Sequence, residues 1–332
     1  AAGGPRGTGG VRAMGGLGVG GNVPAPARHD HRRHPRRVPV GRRRRDELTA
    51  LAFLTPALIG FAIFVVGPIL GVVVLSFFDW SLLSAPTFNG GENYRRLVAD
   101  HRLRDVYGST AYMSVVAVIL NLVLGLALAL LLESRIPRRI RNAFRLTYVF
   151  PYIVSAAAVA LIWRFLLNQD LGIVNWGLGQ LGIDRINWLG SSAWAPVSVI
   201  VVYTWKSLGF SILVYIAGLQ SIPNELREAA TMDGAGPWRR FWRITLPLLS
   251  PTVFFLVVIN TINAFQMFAE PVVLTGGGPG DASRTVVQYI YQLAFQSFSL
   301  GYASTVALSL FVLLLAMTAV QFRLSRRWTF YS

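Results

Sequence analysis

Apolar residues along this chain gather into long runs that few polar residues interrupt. Six runs reach the roughly 20 residues needed to cross a hydrocarbon core: Leu51–Phe77, Thr110–Leu132, Phe144–Leu166, Pro196–Leu219, Leu248–Ala269 and Leu300–Phe322. Each is expected to be a helix, because a backbone surrounded by lipid can satisfy its own polar groups only in a helix or a closed barrel. Pro56 and Pro68 in the first run, and Gly209 and Gly218 in the fourth, mark expected bends or close helix approaches. The predicted fold class is all-α, a polytopic membrane protein with six transmembrane helices.

Composition agrees. Of the 332 residues, 53% are hydrophobic and 14% charged, and the mean hydropathy is +0.50, too apolar for a water-facing globule of this length. The formal net charge of +16 would suit nucleic acid, but eleven arginines precede Leu48 and most others flank apolar runs. They read as orientation signals, with no nucleic-acid partner expected.

Ala1 to about Arg45 is rich in Gly, Arg and Pro and is expected to be a disordered cytoplasmic arm. The first apolar run is about twice as long as the ~7–15 residues of a signal-peptide core, so no cleavage is expected. The organisation predicted is an arm over 1–47, a six-span domain over 48–327 and a short tail over 328–332.

Arginines in the loop Glu133–Arg145, in Ser221–Pro247 and in the tail at Arg323, Arg326 and Arg327 put those segments with the amino terminus. Both termini are therefore expected in the cytoplasm. The loop Asp79–Ser109 dissents with Arg95, Arg96, Arg102 and Arg104, yet six crossings place it outside. A short surface helix is expected around Asn93–Val98. Trp and Tyr in the outer loops, such as Trp188 and Tyr289, read mainly as interfacial anchors.

Catalytic chemistry finds little footing. Without cysteine there is no thiolate site, and the four histidines lie outside the apolar runs. Lys206 is the single lysine, so no phosphate-cradling loop of the Gly-rich, Lys-Ser/Thr kind exists. The Gly276–Gly280 stretch reads as a plain flexible loop. The runs hold no acid, and Glu270 sits alone past the end of the fifth. That lack argues against an ion-coupled secondary transporter or channel, and the missing catalytic set argues against an intramembrane enzyme.

The most informative segment joins the fourth and fifth runs. From Pro223 a short helix is expected, stopped at Gly234, then a second from Pro237, with Pro247 opening the fifth span. Glu225 and Glu228 suit a helix amino end. The string Glu228-Ala229-Ala230, two residues, Asp233-Gly234-Ala235, then Phe241, Ile244 and Leu246-Pro247, resembles the EAA loop of bacterial ABC-importer permeases. Three further segments are similar to the carbohydrate-uptake branch of that family, which includes maltose, lactose and glycerol-3-phosphate permeases: Ala217–Pro223, Leu274–Pro279 and Phe298–Ala303.

The resemblance implies that Glu228, Ala229, Ala230, Asp233 and Gly234 form a coupling helix docking on a separate ATPase subunit, within a cytoplasmic loop over 221–247. It also implies a second homologous permease subunit in a heterodimer, two ATPases that bind and use ATP and Mg, and an extracytoplasmic binding protein or lipoprotein. This chain itself would hold no cofactor and no metal. The cargo implied is a sugar or oligosaccharide, with glycerol-3-phosphate or a glycerophosphodiester as the alternative.

Polar groups in lipid-spanning helices are costly and become candidates for the cargo path. In the fifth run, Asn260, Asn263 and Met267 are spaced to share one face with Gln266 close by. The resemblance adds Ala264, and it brings in Trp205, Lys206 and Gly209 of the fourth run. Hydrogen bonding between helices is the competing role for Asn260, Asn263 and Gln266. For Lys206 the competing roles are structure or gating.

Overall fold

The computed structural model describes residues 40–81, 83–133, 147–148 and 150–325. The arm through residue 39, the arginines of the loop Glu133–Arg145 and the tail from Arg326 lie outside the described residues.

The chain enters through α1 (Val40–Phe61), a π-turn over Ala62–Val66 and α2 (Gly67–Leu75). The helix is thus already formed before the expected start of the span at Leu51. Pro68 has no N–H to give the carbonyl one turn back, and the widened π-turn just before it absorbs the lost bond, with Gly67 N–H reaching Ala62 O. Two-residue strands, β1 (Phe78–Asp79) and β2 (Thr87–Phe88), pair antiparallel. Then come α3 (Glu92–Ala99), α4 (His101–Glu133), α5 (Ala156–Leu166), α6 (Ile173–Gln180) and α7 (Trp194–Gln220).

The next loop holds α8 (Asn224–Met232) and α9 (Pro237–Arg240). The fifth span is α10 (Ser250–Phe265) with α11 (Ala269–Leu274). The chain closes with α12 (Val286–Tyr291) and α13 (Leu300–Ser325).

Among the described residues, five stretches are long and apolar enough to cross a membrane: 51–75, 101–133, 194–220, 250–274 and 300–325. The expected third span, Phe144–Leu166, is only partly described, and where described it is not one straight helix. A helical segment through Ile153 breaks at Val154–Ser155, where Ser155 turns to ψ 131, before α5 resumes. The expected start of the fifth span also moves. Pro247 sits inside a helical rod that runs from α9 through a π-turn at Phe241–Thr245 to Leu248, and Pro251 takes the first turn of α10 instead.

Helix α4 is the axis on which the core is laid down in three apolar layers. Leu103 and Val106 pack with Phe265, Val286 and Val306. Met113 and Ala117 pack with Val199, Val202 and Met267. Ala129 and Leu132 pack with Ile212, Tyr215, Leu219 and Leu256. The expected close approach at Gly218 is present: a Cβ there would lie 2.5 Å from Thr252 Oγ1, so α7 and α10 meet only because the residue is glycine.

The start of α13 is clamped in the same way. A Cβ on Gly301 would strike the carbonyl of Phe78, and Leu300 N–H donates to Trp80 O at 2.9 Å. The expected surface helix is α3, and its buried Asn93 caps this clamp by donating to the carbonyls of Ser76 and Phe78, each at 3.0 Å.

Candidate functional site

The EAA segment folds as a self-contained exposed helix. Pro223 precedes the first turn and Glu225 stands within it. At the other end Gly234 adopts φ +71. Ala235 N–H reaches Ala230 O at 2.9 Å and Gly234 N–H reaches Thr231 O at 3.1 Å, the paired bonds of a Schellman cap. Glycine is required at 234 by backbone conformation, since nothing among the described residues lies within 4 Å of where its Cβ would be.

Glu228, Ala229, Asp233 and Gly234 are exposed, and Ala230 is buried. Met232 is 88% exposed and Trp238 72%, large apolar surfaces left outward beside acids. Arg240 donates to Thr231 Oγ1 at 2.7 Å and so ties α8 to the rod that leads into the fifth span.

The polar positions of the fifth span do not form one face. Asn260 is buried and donates to Ser211 Oγ of α7 at 3.1 Å, which is the helix-to-helix role. Ala264 and Met267 are buried as well, Met267 in the middle core layer. Asn263 and Gln266 are exposed. Three residues of helix rotate the side chain by roughly 60° from the starting direction, enough here to carry Asn263 across the border of the buried stripe. Gln266 ends α10, and Met267 and Phe268 break the span before α11.

Helix α11 then buries Glu270, which is 4% exposed. The expectation that the span holds no acid is corrected: the helical stretch continues to Leu274 and carries Glu270 inside. Nor is it alone, because Lys206 and Tyr203 of α7 lie within Coulombic reach of it. Lys206 Nζ lies 5.8 Å from the Tyr152 ring, and Trp205, partly exposed, meets Trp163 edge-on at 5.6 Å. Gly209 is buried in α7. Asn121 and Ser207 also link α4 to α7 at 3.0 Å. Isolated polar residues in two separate runs gave no pairing signal beforehand.

Beyond α11 lies a loop expected to be flexible that is instead closely bonded. Thr275 and Ser283 share a hydroxyl hydrogen bond of 2.7 Å, and Ser283 Oγ donates to Gly278 O at 2.8 Å. Gly276, Gly277 and Gly280 all take positive φ, and the Gly278–Pro279 bond is cis. Asp281 then accepts two bonds from Arg102 at 2.6 and 3.1 Å and another from Arg284.

Nearby, Asp100 accepts from Tyr302 at 2.7 Å, from Tyr289 at 2.9 Å and from Leu103 N–H at 3.0 Å. Tyr289 is therefore a buried cross-link and not the interfacial anchor expected. The bond from Arg102 holds the Asp281 carboxyl below the usual range, against a smaller opposing effect of burial. Burial pushes Asp100 up, but the bonds from Tyr302, Leu103 and Tyr289 and the charge of Arg96 outweigh it and leave its pKa lowered. Burial, then Asp100, pushes Tyr289 up to about 12.

The dissenting arginines are all engaged here. Arg95 meets Glu92 at 3.4 Å, Arg96 lies 4.1 Å from the centre of the Tyr302 ring, Arg102 grips Asp281 and Arg104 donates to Val98 O at 2.5 Å.

Residues 121–330 match the family model described as the binding-protein-dependent transport system inner membrane component. The chain is 37% identical to the sulfoquinovosyl glycerol transport system permease protein of Agrobacterium fabrum, over 85% of this chain and 91% of the relative. It is 34% identical to the trehalose/maltose transport system permease protein of Thermococcus litoralis, over 85% and 95%. Among solved structures it superimposes at a TM-score of 0.77 and 25% identity, covering 87% of this chain and 97% of the other, on a chain of a bacterial alginate ABC transporter in complex with an alginate pentasaccharide-bound periplasmic protein. With the membrane-length helices and the exposed EAA helix already in place, these matches make the chain a multi-pass member of the inner-membrane permease family of binding-protein-dependent ABC transporters.

Proposed function

We propose that this chain is the passive membrane half of an ATP-driven importer of a sugar or oligosaccharide. Helix α8 is the coupling helix, and Glu228, Ala229, Ala230, Asp233 and Gly234 shape its fit into a cleft of a separate ATPase subunit. Two such ATPases bind and hydrolyse ATP with Mg. This chain contributes no catalytic group and pairs with a second permease of related fold, with both termini cytoplasmic and a binding protein delivering cargo from outside.

The carrying observation is the outward Met232 and Trp238 on a loop otherwise closed by its own Schellman bonds. A membrane chain gains nothing from exposing such side chains to water unless a partner covers them. The sugar reading is supported by the carbohydrate cargoes named for both relatives and for the solved alginate transporter.

In the cargo path, Asn263, Gln266, Trp205 and Lys206 reach the substrate. Asn260, Ala264, Met267 and Gly209 hold the spans that carry them. The test is uptake into proteoliposomes by the complete complex with its binding protein. Transport is expected only with ATP, and Glu228→Ala or Gly234→Asp is expected to reduce it severely. Uptake without ATP, or indifferent to both substitutions, overturns the reading. A thermal-shift screen of the binding protein against neutral sugars and glycerol phosphates identifies the cargo.

A further inference from the structure

A second site stands apart from both the coupling helix and the cargo path. Between the end of α3, the start of α4 and the π-turn Gln292–Gln296 lies a cavity of ≈ 420 Å³ bordered by Arg96, Arg102, Arg284, Gln292, Gln296 and Ser299. We propose that it binds a small polyhydroxylated oxyanion, a carboxylate or phosphate carried on a sugar-sized or glycerol-sized body.

Charge is the first support. Arg102 and Arg284 share the one carboxylate of Asp281. Arg96 rests against the Tyr302 ring, and the Asp100 carboxylate facing it is already taken by two tyrosine hydroxyls and a backbone N–H. Three guanidiniums thus face two carboxylates, leaving a positive charge to be answered.

The second support is Arg284 itself. It is only 9% exposed, and its Nη1 has no hydrogen-bond partner among the described residues. A buried donor without a partner is destabilising and therefore uncommon. Nη1 is itself closed to solvent, so an oxyanion in the cavity answers the charge of the guanidinium and does not have to meet that donor.

Size and lining give the rest. The volume falls in the range of about 300–1,000 Å³ that small-ligand sites occupy, more than one acidic side-chain tip would fill. The two glutamine amides and the serine hydroxyl are partners for hydroxyl groups rather than for an apolar body.

The chemistry has two sources, a dissolved sugar acid or the phosphoglycerol headgroup of a lipid, and calorimetry on the intact complex separates them. In phosphatidylcholine nanodiscs, glucuronate is expected to bind saturably and glucose not at all. Arg96→Gln and Gln296→Glu should each weaken binding about tenfold or more, as loss of a fork or gain of a like charge requires. Phosphatidylglycerol kept by the wild-type complex but not by Gln296→Glu in native mass spectrometry, without heat from glucuronate, assigns the headgroup and also supports the site.

Gln296 is exposed, so its variants should keep the wild-type unfolding temperature. Should Gln296→Glu lower it, Gln296→Lys serves instead and is expected to tighten binding. The proposal is overturned if neither anion binds, if binding ignores the substitutions, or if Gln296→Glu weakens only docking of the binding protein. None of these readouts requires ATP or transport, so they stand or fall separately from the importer reading.

Discussion

On one side of the fifth span, residues 224–248 are shaped by backbone hydrogen bonds and leave Met232 and Trp238 outward. On the other side, residues 275–289 are held by side chains: Asp281 to Arg102 and Arg284, Tyr289 to Asp100, Thr275 to Ser283. The first region keeps its shape without committing its surface, as a segment that docks and undocks requires. The second commits its polar side chains inward and trades mobility for a fixed arrangement. Segments that move in a working protein belong to the weakly tied class.

The largest expected effect breaks the tied side. Asp281→Ala leaves Arg284 without its carboxylate; both side chains are mostly buried, at 11% and 15% exposure, so a loss of about 3 kcal/mol is expected in detergent unfolding. Next, Gly218→Val should cost about 2 kcal/mol by driving α7 off Thr252. Gly234→Ala should cost about 1 kcal/mol, because φ +71 is strained for a residue with a Cβ. Its uptake defect should exceed what that small destabilisation explains.

Acid titration gives a gentler probe of the contrast. Asp281 and Asp100 have lowered pKa values in the folded chain. Their contribution is therefore fully present above the unfolded carboxylate value of about 3.9 and is lost as pH falls through the lower folded value. The unfolding temperature should decline below about pH 4, and less steeply in Asp281→Asn. The smallest stability effect is expected at Met232→Ala, within about 0.5 kcal/mol, yet stimulation of the partner ATPase should drop. If stability and stimulation fall together there, the two sides do not differ as described.

The spans were legible because lipid imposes a length and a composition that few other constraints mimic. The breaks within them were not. Pro151 stands three residues before Val154 and Pro271 three after Phe268, but a proline in an apolar run does not say whether the helix bends, stops or carries on. The EAA helix was legible down to Gly234, because a positive φ at a helix end leaves a mark in residue type.

The cross-linking network was illegible for the opposite reason. Asp100 and Tyr302 are 202 residues apart in sequence, and pairing at such distance is decided by packing. Arg95, Arg96, Arg102 and Arg104 did stand out, as violations of a charge rule, and that excess was the visible trace of local partners. Asn260 and Asn263 show the limit of periodicity: it ranks neighbours on a helix but does not say where the buried stripe ends.

From Pro237 to Leu248 the chain is helical through α9 and a π-turn, and only the turn at Leu249 separates it from Ser250. It behaves as a push-rod with a single joint. With Arg240 tying α8 to its near end, a displacement of α8 by a docked partner would find little slack and would arrive as tilt or rotation of the fifth span. Stiffness over those twelve residues, more than affinity at the docked surface, would then set how much of a partner's stroke is delivered to the membrane.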